Sequence, residues 1–236
     1  MVKYQRIADS IRDDILQGKY RPGQQLALEK EMCKAYGVSR ITVKRAVDEL
    51  VSAGLVVKRR GSGTFVKSME ADAAKRASEA KRFASFSERF AGRDIQTSIL
   101  QFNIVNPTQE VAVKLRMPTE DFIYDIARLR TVDGVPLSIE YAKLPIQLVP
   151  GIKRETLESS LYHYIEQELH MHIQSAHRMV RAVPPAKEEQ KLLGITASQP
   201  ILEITQMAFL DDGRPFEYAV LHERGDQCDF RAVSIR

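Results

Sequence analysis

The stretch Tyr36-Gly37-Val38-Ser39-Arg40-Ile41-Thr42-Val43-Lys44 carries the pattern that decides the fold of the first third of the chain. Gly37 is the residue type that most often ends a helix in the left-handed conformation. Ser39 is a preferred N-cap for a helix that follows. Apolar residues then recur at helical spacing from Val43 to Leu50. The stretch predicts a tight turn between two helices, with basic side chains at the start of the second.

The sequence on either side extends this pattern. Apolar residues at helical spacing predict a first helix over residues 4–16 and a short second helix over residues 29–36. After the third helix, two short strands are predicted at residues 55–57 and 64–66, joined by a basic, glycine-bearing tip. This order of elements is that of a winged helix-turn-helix, which we predict for residues 1–67.

The distribution of charge agrees with a polyanion-binding module at this end. The 236 residues carry a net charge of +4. Residues 1–67 hold fourteen Lys and Arg against seven Asp and Glu, a balance of +7, and the remainder therefore carries −3. Only two cysteines are present, no apolar run has membrane-spanning length, and the N-terminus does not have the pattern of a signal peptide. A cytoplasmic location without membrane contact is expected.

A linker and a larger domain follow. Residues 68–84 are rich in alanine and charge and predict a linker. The rest alternates between strand and helix signals with two hairpin turns, which predicts an α+β fold with a mainly antiparallel sheet for residues 85–236. Strands are predicted at 95–105, 121–132, 135–145, 172–183, 200–210, 215–223 and 228–235, and helices at 88–91, 108–115, 155–169 and 186–193.

Two arginines on one predicted strand are the first chemical signal in this domain. Arg128 and Arg130 are two residues apart and therefore lie on one face, where two guanidinium groups suit a phosphate or carboxylate. Surface ion pairs with Asp125 or Glu140 explain the spacing equally well.

The length of the next hairpin loop decides whether Glu140 joins these arginines. A two-residue loop pairs Glu140 with Ala127 on the opposite face, and a three-residue loop with Gly134 left-handed pairs it with Ile126 on the arginine face. We predict the three-residue loop. This hairpin and a later one share the pattern Gly-x-Pro followed by Glu-Tyr-Ala, by coincidence or through a duplicated half.

The N-terminal third resembles the GntR family of bacterial transcription regulators. The motifs are Gly18-x-Tyr20-x-Pro22-Gly23, the stretch 36–44 and Arg60-Gly61-Ser62-Gly63-Thr64-Phe65-Val66. One departure is Ala27-Leu28, where the family usually has Pro-Ser before the second helix. The basic pattern and the resemblance together make these residues candidates for DNA contact: Lys30, Ser39, Arg40, Thr42, Lys44, Arg59, Arg60, Gly61 and Gly63.

The remainder of the chain resembles the HutC subfamily, whose larger part is the UTRA domain. The matching pieces include Ser85-Phe86-Ser87-Glu88, Ser160-Leu161-Tyr162 and Pro215-Phe216-Glu217-Tyr218. The resemblance implies a chorismate-lyase-like fold that also dimerises and that binds a small, often phosphorylated or acidic, effector. It implies these effector contacts, to which Glu223 is added as a candidate from its position: Ser85, Phe86, Ser87, Arg128, Arg130, Glu140, Ser160, Tyr162 and Glu217.

One departure concerns Glu223, which stands where the family pattern has an effector-contacting tyrosine. An extra carboxylate there leads to the hypothesis that the effector carries a positively charged or amine-bearing part.

The sequence as a whole predicts a transcription regulator, a repressor that acts as a homodimer on an inverted-repeat operator. An enzyme acting on a small acidic substrate is the alternative, since the implied fold is shared with a lyase. No cofactor is expected. The five histidines lack accompanying ligands at metal-binding spacing, so no metal site is expected either.

Overall fold

The computed structural model describes residues 2–67 and 84–230. These residues form two compact units, residues 2–67 and residues 84–229, which we describe separately. The predicted linker over 68–84 lies outside the described residues except for Ala84.

The first unit has the predicted order of three helices and a hairpin. Gly37 ends the second helix with φ +61°, in the left-handed region, and the hydroxyl of Ser39 accepts from the Thr42 backbone N–H at 3.4 Å. The Glu31 carboxylate accepts from the Leu28 N–H at 2.8 Å, so the second helix has a cap despite the absence of the family's serine. The elements are α1 (Lys3–Leu16), α2 (Glu29–Tyr36), α3 (Arg40–Ser52), β1 (Val56–Arg59) and β2 (Gly63–Val66).

The core of this unit uses one face of α3. Val43, Ala46, Val47 and Leu50 are fully buried and pack with the apolar stripe of α1 and with residues from the wing. The opposite face of α3 is left exposed, which makes its polar and basic side chains available to a partner.

The second unit is a six-stranded antiparallel sheet with helices on both faces. The strand order is β3-β4-β5-β8-β7-β6. Leu157, Leu161 and Ile165 cover one face of the sheet, and helices α5 and α8 cover the other. The elements are α4 (Phe86–Arg89), β3 (Ile95–Val105), α5 (Gln109–Leu115), β4 (Ile123–Val132), β5 (Val135–Pro145), α6 (Arg154–Glu158), α7 (Leu161–His163), a π-helical turn (Tyr164–Glu168), β6 (Ile173–Val183), α8 (Lys187–Leu193), β7 (Ile201–Leu210) and β8 (Pro215–Arg224).

Three predicted elements differ from the structure. The helix expected over 155–169 is broken at Ser159, because Ser160 caps a new helix by accepting from the His163 N–H at 3.3 Å. The helix expected at 88–91 begins earlier, because Ser85 and Glu88 form a capping box around its first turn. The last strand, expected at 228–235, is absent at residues 228–230, and the rest of that stretch lies outside the described residues.

The two halves of the sheet repeat one arrangement of strand, helix, strand and strand. Equivalent elements begin at residues 95 and 173, 109 and 187, and 123 and 201, a constant separation of 78 positions. The last strands of the two halves, β5 and β8, lie side by side at the centre of the sheet, with Ala142 opposite Ala219. The spacing and the sheet order together describe a duplicated half with an approximate twofold axis.

The prediction of a three-residue first hairpin loop is wrong. Val132 pairs with Val135, so the loop is Asp133-Gly134, with φ +48° and +78°. A bulge at Leu137 then shifts the register by one residue and places Glu140 directly opposite Arg128. The bulge thus brings Glu140 to the arginine face by a route that loop length alone does not predict.

The second hairpin has the longer loop. The Leu210 N–H donates to the Arg214 carbonyl at 3.0 Å across Asp211-Asp212-Gly213, and Phe216 forms the equivalent bulge. Because of the extra loop residue, the structural counterpart of Glu217 is Ser138 and not Glu140. The shared Glu-Tyr-Ala pattern is therefore not the structural equivalence between the halves.

Candidate functional site

The first unit presents a basic surface at the start of α3. The Arg40 side chain is 84% exposed, and its Nε donates to Glu29 Oε2 at 3.0 Å. The hydroxyls of Ser39 and Thr42 lie 3.0 Å apart. Glu29 is thus the ion-pair partner of Arg40 at the start of α3, the end of the helix for which contact with base edges and phosphates is predicted.

Gly63 and Gln25, a residue outside the hairpin, set the conformation of the wing tip. Gly63 has φ +117°, and a Cβ there would lie 2.4 Å from Nε2 of Gln25. That amide donates to the Ser62 carbonyl at 2.8 Å. The Arg59 guanidinium lies 4.6 Å from the centre of the Phe65 ring. A side chain at position 63 would therefore displace the contact that supports the tip.

The candidate DNA contacts lie on this surface with different exposures. Thr42 and Gly63 are half-buried, and seven others are exposed: Lys30, Ser39, Arg40, Lys44, Arg59, Arg60 and Gly61.

The second unit contains a pocket between one sheet face and the helices α4 and α7. Serine-capped helix starts flank it, with Ser85 at α4 and Ser160 at α7. The lining residues are Ala84, Ser85, Phe86, Ser87, Arg89, Arg128, Arg130, Glu140, Ser160, Leu161, Tyr162, Arg178, Gln206 and Leu221.

The two arginines of β4 are buried in this pocket, so the alternative of ion pairs at the protein surface does not describe them. Each is only 3% exposed. Arg128 donates to Glu140 Oε2 at 2.7 Å and to the Leu157 carbonyl at 3.0 Å. Arg130 lies 3.9 Å from the same carboxylate oxygen. One carboxylate is thus the shared partner of two buried guanidinium groups. Asp125, the other candidate partner of the arginines, pairs with Lys143.

Arg130 is the less satisfied of the two. Its Nη2 donates to the Ser87 hydroxyl at a long 3.4 Å, and its guanidinium lies 4.6 Å from the centre of the Phe86 ring. Among the described residues its buried Nε has no partner, which is also true of the Nε of Arg128. Burial, followed by repulsion from Arg128, lowers the pKa of Arg130 to about 10. An anion at this position would raise the pKa again, because a nearby opposite charge favours the charged form of the guanidinium.

The far side of the pocket is a hydrogen-bonded network. The Tyr162 hydroxyl donates to Glu217 Oε2 at 2.5 Å, and Gln206 Nε2 donates to the same oxygen at 2.8 Å. Arg178 Nε donates to Gln206 Oε1 at 2.7 Å. Within the described residues the other oxygen of Glu217 has no partner.

Glu217 is a buried acid that titrates near neutrality. It is 1% exposed, and burial followed by repulsion from Glu140 raises its pKa to about 7. Its free oxygen can accept from a ligand hydroxyl when ionised and donate when protonated.

Glu223 lies beside the pocket and already has a cationic partner in the protein. Its two oxygens accept from Arg89 Nη1 at 2.5 Å and from Nη2 at 3.0 Å, and its side chain is 2% exposed. A charged effector group at this carboxylate would have to displace Arg89.

Burial, followed by the charge of Glu223, raises the pKa of the Cys228 thiol to about 12, which makes this cysteine a poor nucleophile.

Most of the predicted effector residues are brought together. Eight of them line the pocket, Glu217 is hydrogen-bonded to its wall through Tyr162, and Glu223 is paired to its wall through Arg89. The sequence analysis missed Arg89, Arg178 and Gln206. Arg89 follows Ser85 by four residues and could have been found from helical spacing, but the other two need the sheet order.

Two features are absent from the described residues. Among residues 2–67 and 84–230, no group of three or more His, Cys, Asp or Glu side chains could hold a metal ion. Nor do these residues contain a helix with the length and apolar character needed to cross a membrane.

The comparisons with known proteins cover both units. The sequence pattern of the bacterial regulatory proteins of the gntR family matches residues 3–66, and that of the UTRA domain matches residues 91–229. A Bacillus subtilis protein, the HTH-type transcriptional regulator GmuR, is 34% identical over the full length of both chains. The chain belongs to the GntR family. Its DNA-binding unit and UTRA domain place it in the HutC type, and it is a transcription regulator rather than an enzyme.

Other GntR proteins resemble it along nearly the whole chain. The mannosyl-D-glycerate transport/metabolism system repressor MngR of Escherichia coli is 31% identical over 99% of this chain and 96% of its own. The crystal structure of the possible transcriptional regulator YydK from Bacillus subtilis, 24% identical, covers 100% of both chains with a TM-score of 0.77 and shares the fold.

Proposed function

We propose that this GntR protein is a cytoplasmic repressor whose affinity for operator DNA is controlled by a small anionic metabolite such as a sugar phosphate. The observation that carries the proposal is the buried pair of Arg128 and Arg130, which share the single carboxylate of Glu140. Buried charges are normally paired, so an incompletely neutralised pair favours an anionic ligand.

The polar residues around the arginines support a phosphate ester as that ligand. Ser85, Ser87 and Ser160 offer hydroxyls at the pocket wall, and a phosphate can accept from several such donors together with a bidentate guanidinium. Glu140 and Glu217 then lie beside the position of a polar remainder, where carboxylates accept from sugar hydroxyls.

The names of relatives agree with a carbohydrate effector. MngR is named as a repressor of a mannosyl-D-glycerate system, and a 26% identical Escherichia coli relative is named as a probable repressor of a fructoselysine utilisation operon. From these names we infer for this chain only the general class of effector, a sugar derivative.

Operator binding is proposed to use the candidates on α3 and the wing, two copies of which meet the halves of an inverted repeat in a homodimer. Effector and operator are coupled if the effector binds the DNA-competent and the released states with different affinity. The linker between the two units would transmit this difference.

A ligand screen tests the proposal directly. Thermal shift of the full chain is measured against sugar phosphates, amino sugars and acidic metabolites, with light scattering to give the oligomeric state. We expect stabilisation by a phosphorylated sugar and none by the matching unphosphorylated sugar. A preference for neutral or cationic compounds would contradict the proposal.

A further inference from the structure

Ile41 is an apolar side chain in an unusual place. It is 69% exposed, the largest exposed fraction of any large hydrophobic side chain in the described part of the chain. It is the second residue of α3, and the apolar stripe that packs into the core begins only at Val43. Two residues are about 200° around a helix, so Ile41 points away from that stripe. The fold makes no use of its apolar surface.

The neighbours of Ile41 on the helix surface are cations. Lys44 and Arg45 follow it by three and four residues and therefore share its face. Both are exposed, and neither forms an ion pair within the residues that the structure describes. Arg40 precedes it and is 84% exposed. An apolar group surrounded by three exposed guanidinium and ammonium groups suits a partner that combines negative charge with a small apolar patch.

Duplex DNA offers that combination in its major groove. Thymine places a C5-methyl group there, between two phosphate backbones, and apolar side chains recognise it by contact. The candidate base-reading residues Arg40 and Thr42 flank Ile41 in sequence, so it enters the groove with them if α3 is the recognition helix.

We propose that Ile41 determines operator specificity by packing against the 5-methyl group of a thymine. The inference rests on the proposed docking of α3 in the operator and adds an apolar contact to the polar and charged ones. It predicts that each half-site has a thymine at one position and that the protein selects this base by its methyl group, without a hydrogen bond.

The experiment removes the methyl group from the DNA and the side chain from the protein. The operator is first selected from a random duplex library with the wild-type chain. Each thymine is then replaced by deoxyuridine, which lacks only the methyl group, and dissociation constants are measured at one fixed salt concentration. The same series is measured with Ile41→Ala. Val113→Ala, at an apolar residue 66% exposed on α5, is the matched control.

At one thymine of each half-site, deoxyuridine should weaken wild-type binding by about fourfold, the worth of one buried methyl group. Ile41→Ala should bind the thymine operator about as weakly and should be insensitive to that replacement, which is the signature of a direct contact in a double-mutant cycle. Val113→Ala should behave as wild type throughout. Since alanine is a better helix former than isoleucine, Ile41→Ala should melt no lower than wild type.

Several outcomes would overturn the assignment. They are an operator whose thymine methyls are all dispensable, equal sensitivity to deoxyuridine in Ile41→Ala and wild type, and a change of oligomeric state in Ile41→Ala, which would make Ile41 a protein contact. Failure to enrich any sequence would instead overturn operator binding itself, and this inference with it.

Discussion

The two halves of the UTRA domain have the same scaffold and different chemistry on the same face. In β4 of the first half, Arg128 and Arg130 face Glu140 and Ser138 across the strand pair. The equivalent places in the second half hold Gln206 and Ala208, which face Ala219 and Glu217.

This difference separates two tasks within one pocket. The first half supplies cationic groups that are incompletely neutralised, which suits an anion. The second supplies the amide of Gln206 and the buried acid Glu217, which suit hydroxyl groups, and one guanidinium, Arg178, that already donates to Gln206. Duplicating the scaffold provides two similar strand faces next to each other, and a few substitutions on one of them make the site asymmetric. Substitutions in the two halves should therefore affect different properties of the protein.

The largest expected effect is on the cationic half. Arg130→Ala should weaken binding of a phosphorylated effector by about 100-fold or more, because charge-assisted hydrogen bonds to a buried anion are lost. Operator binding without effector should be unchanged. Titration calorimetry and anisotropy with operator DNA measure the two properties. Arg154→Ala, at an exposed arginine of α6, is the control and should leave both intact. Loss of operator binding in Arg130→Ala would show a structural role.

The next test concerns the buried acid of the second half. The pKa of Glu217 is raised from 4.5 to about 7, so the folded protein keeps this proton over a pH range in which the unfolded chain releases it. Stability contributed by the proton is therefore lost as pH rises from about 4.5 to 7. Glu217→Gln cannot ionise and should be more stable than wild type by about 1–3 kcal/mol at pH 8 and nearly equal at pH 5.

Urea unfolding at the two pH values measures this difference. Glu155→Gln, at an exposed carboxyl of α6, should follow wild type at both. A Glu217→Gln variant that is less stable than wild type at pH 8 would show that the ionised carboxylate is favoured in the folded state.

A smaller effect is expected at the pair of Arg89 and Glu223. Glu223→Gln leaves the partly exposed guanidinium of Arg89 without its carboxylate and should destabilise the fold by about 1–2 kcal/mol. The added positive charge should strengthen binding of an anionic effector a few-fold. The hypothesis of an amine-bearing effector predicts weaker binding instead, so calorimetry on this variant decides between them. Arg89→Gln combined with Glu223→Gln should restore wild-type affinity.

The smallest effect compares the two hairpin loops. Gly134 and Gly213 have φ of +78° and +84°, and an added Cβ would meet no atom within 4 Å at either place. Alanine there has only backbone strain to overcome, so each variant should lose about 1 kcal/mol of unfolding free energy. Chemical denaturation checks both. A much larger loss in one alone would mean that its loop also fixes the strand register.

The sequence allowed accurate prediction wherever local signals act alone. The glycine and serine around the turn before α3 placed that helix, and alternation of apolar residues placed β3, β4 and β5 nearly to the residue. The break at Ser160 was missed because the apolar spacing continues across it from Leu157 to Leu161, so the pattern favours one long helix. Only the capping hydroxyl distinguishes the two cases.

Non-local features could not be predicted in the same way. The bulge at Leu137 could not be read from the sequence, since a two-residue loop with the bulge and a three-residue loop without it place Glu140 on the same face of the sheet. The loop was therefore predicted one residue too long. Arg178 and Gln206 join the pocket only because β6 and β7 follow β8 across the sheet. The pocket residues that the family resemblance does not imply can therefore be found only once the order of the strands is known.

The approximate axis between Ala142 and Ala219 has a consequence for how a ligand is held. If the halves were identical, a ligand could be turned by 180° about the axis and would meet the same groups, giving two equivalent poses. With arginines at two places on one side and a glutamine and an alanine at the equivalent places on the other, the second pose exchanges Arg128 and Arg130 for one guanidinium, that of Arg178, which already donates to Gln206. The divergence of the halves therefore removes a degeneracy and makes the two directions of a bound molecule unequal.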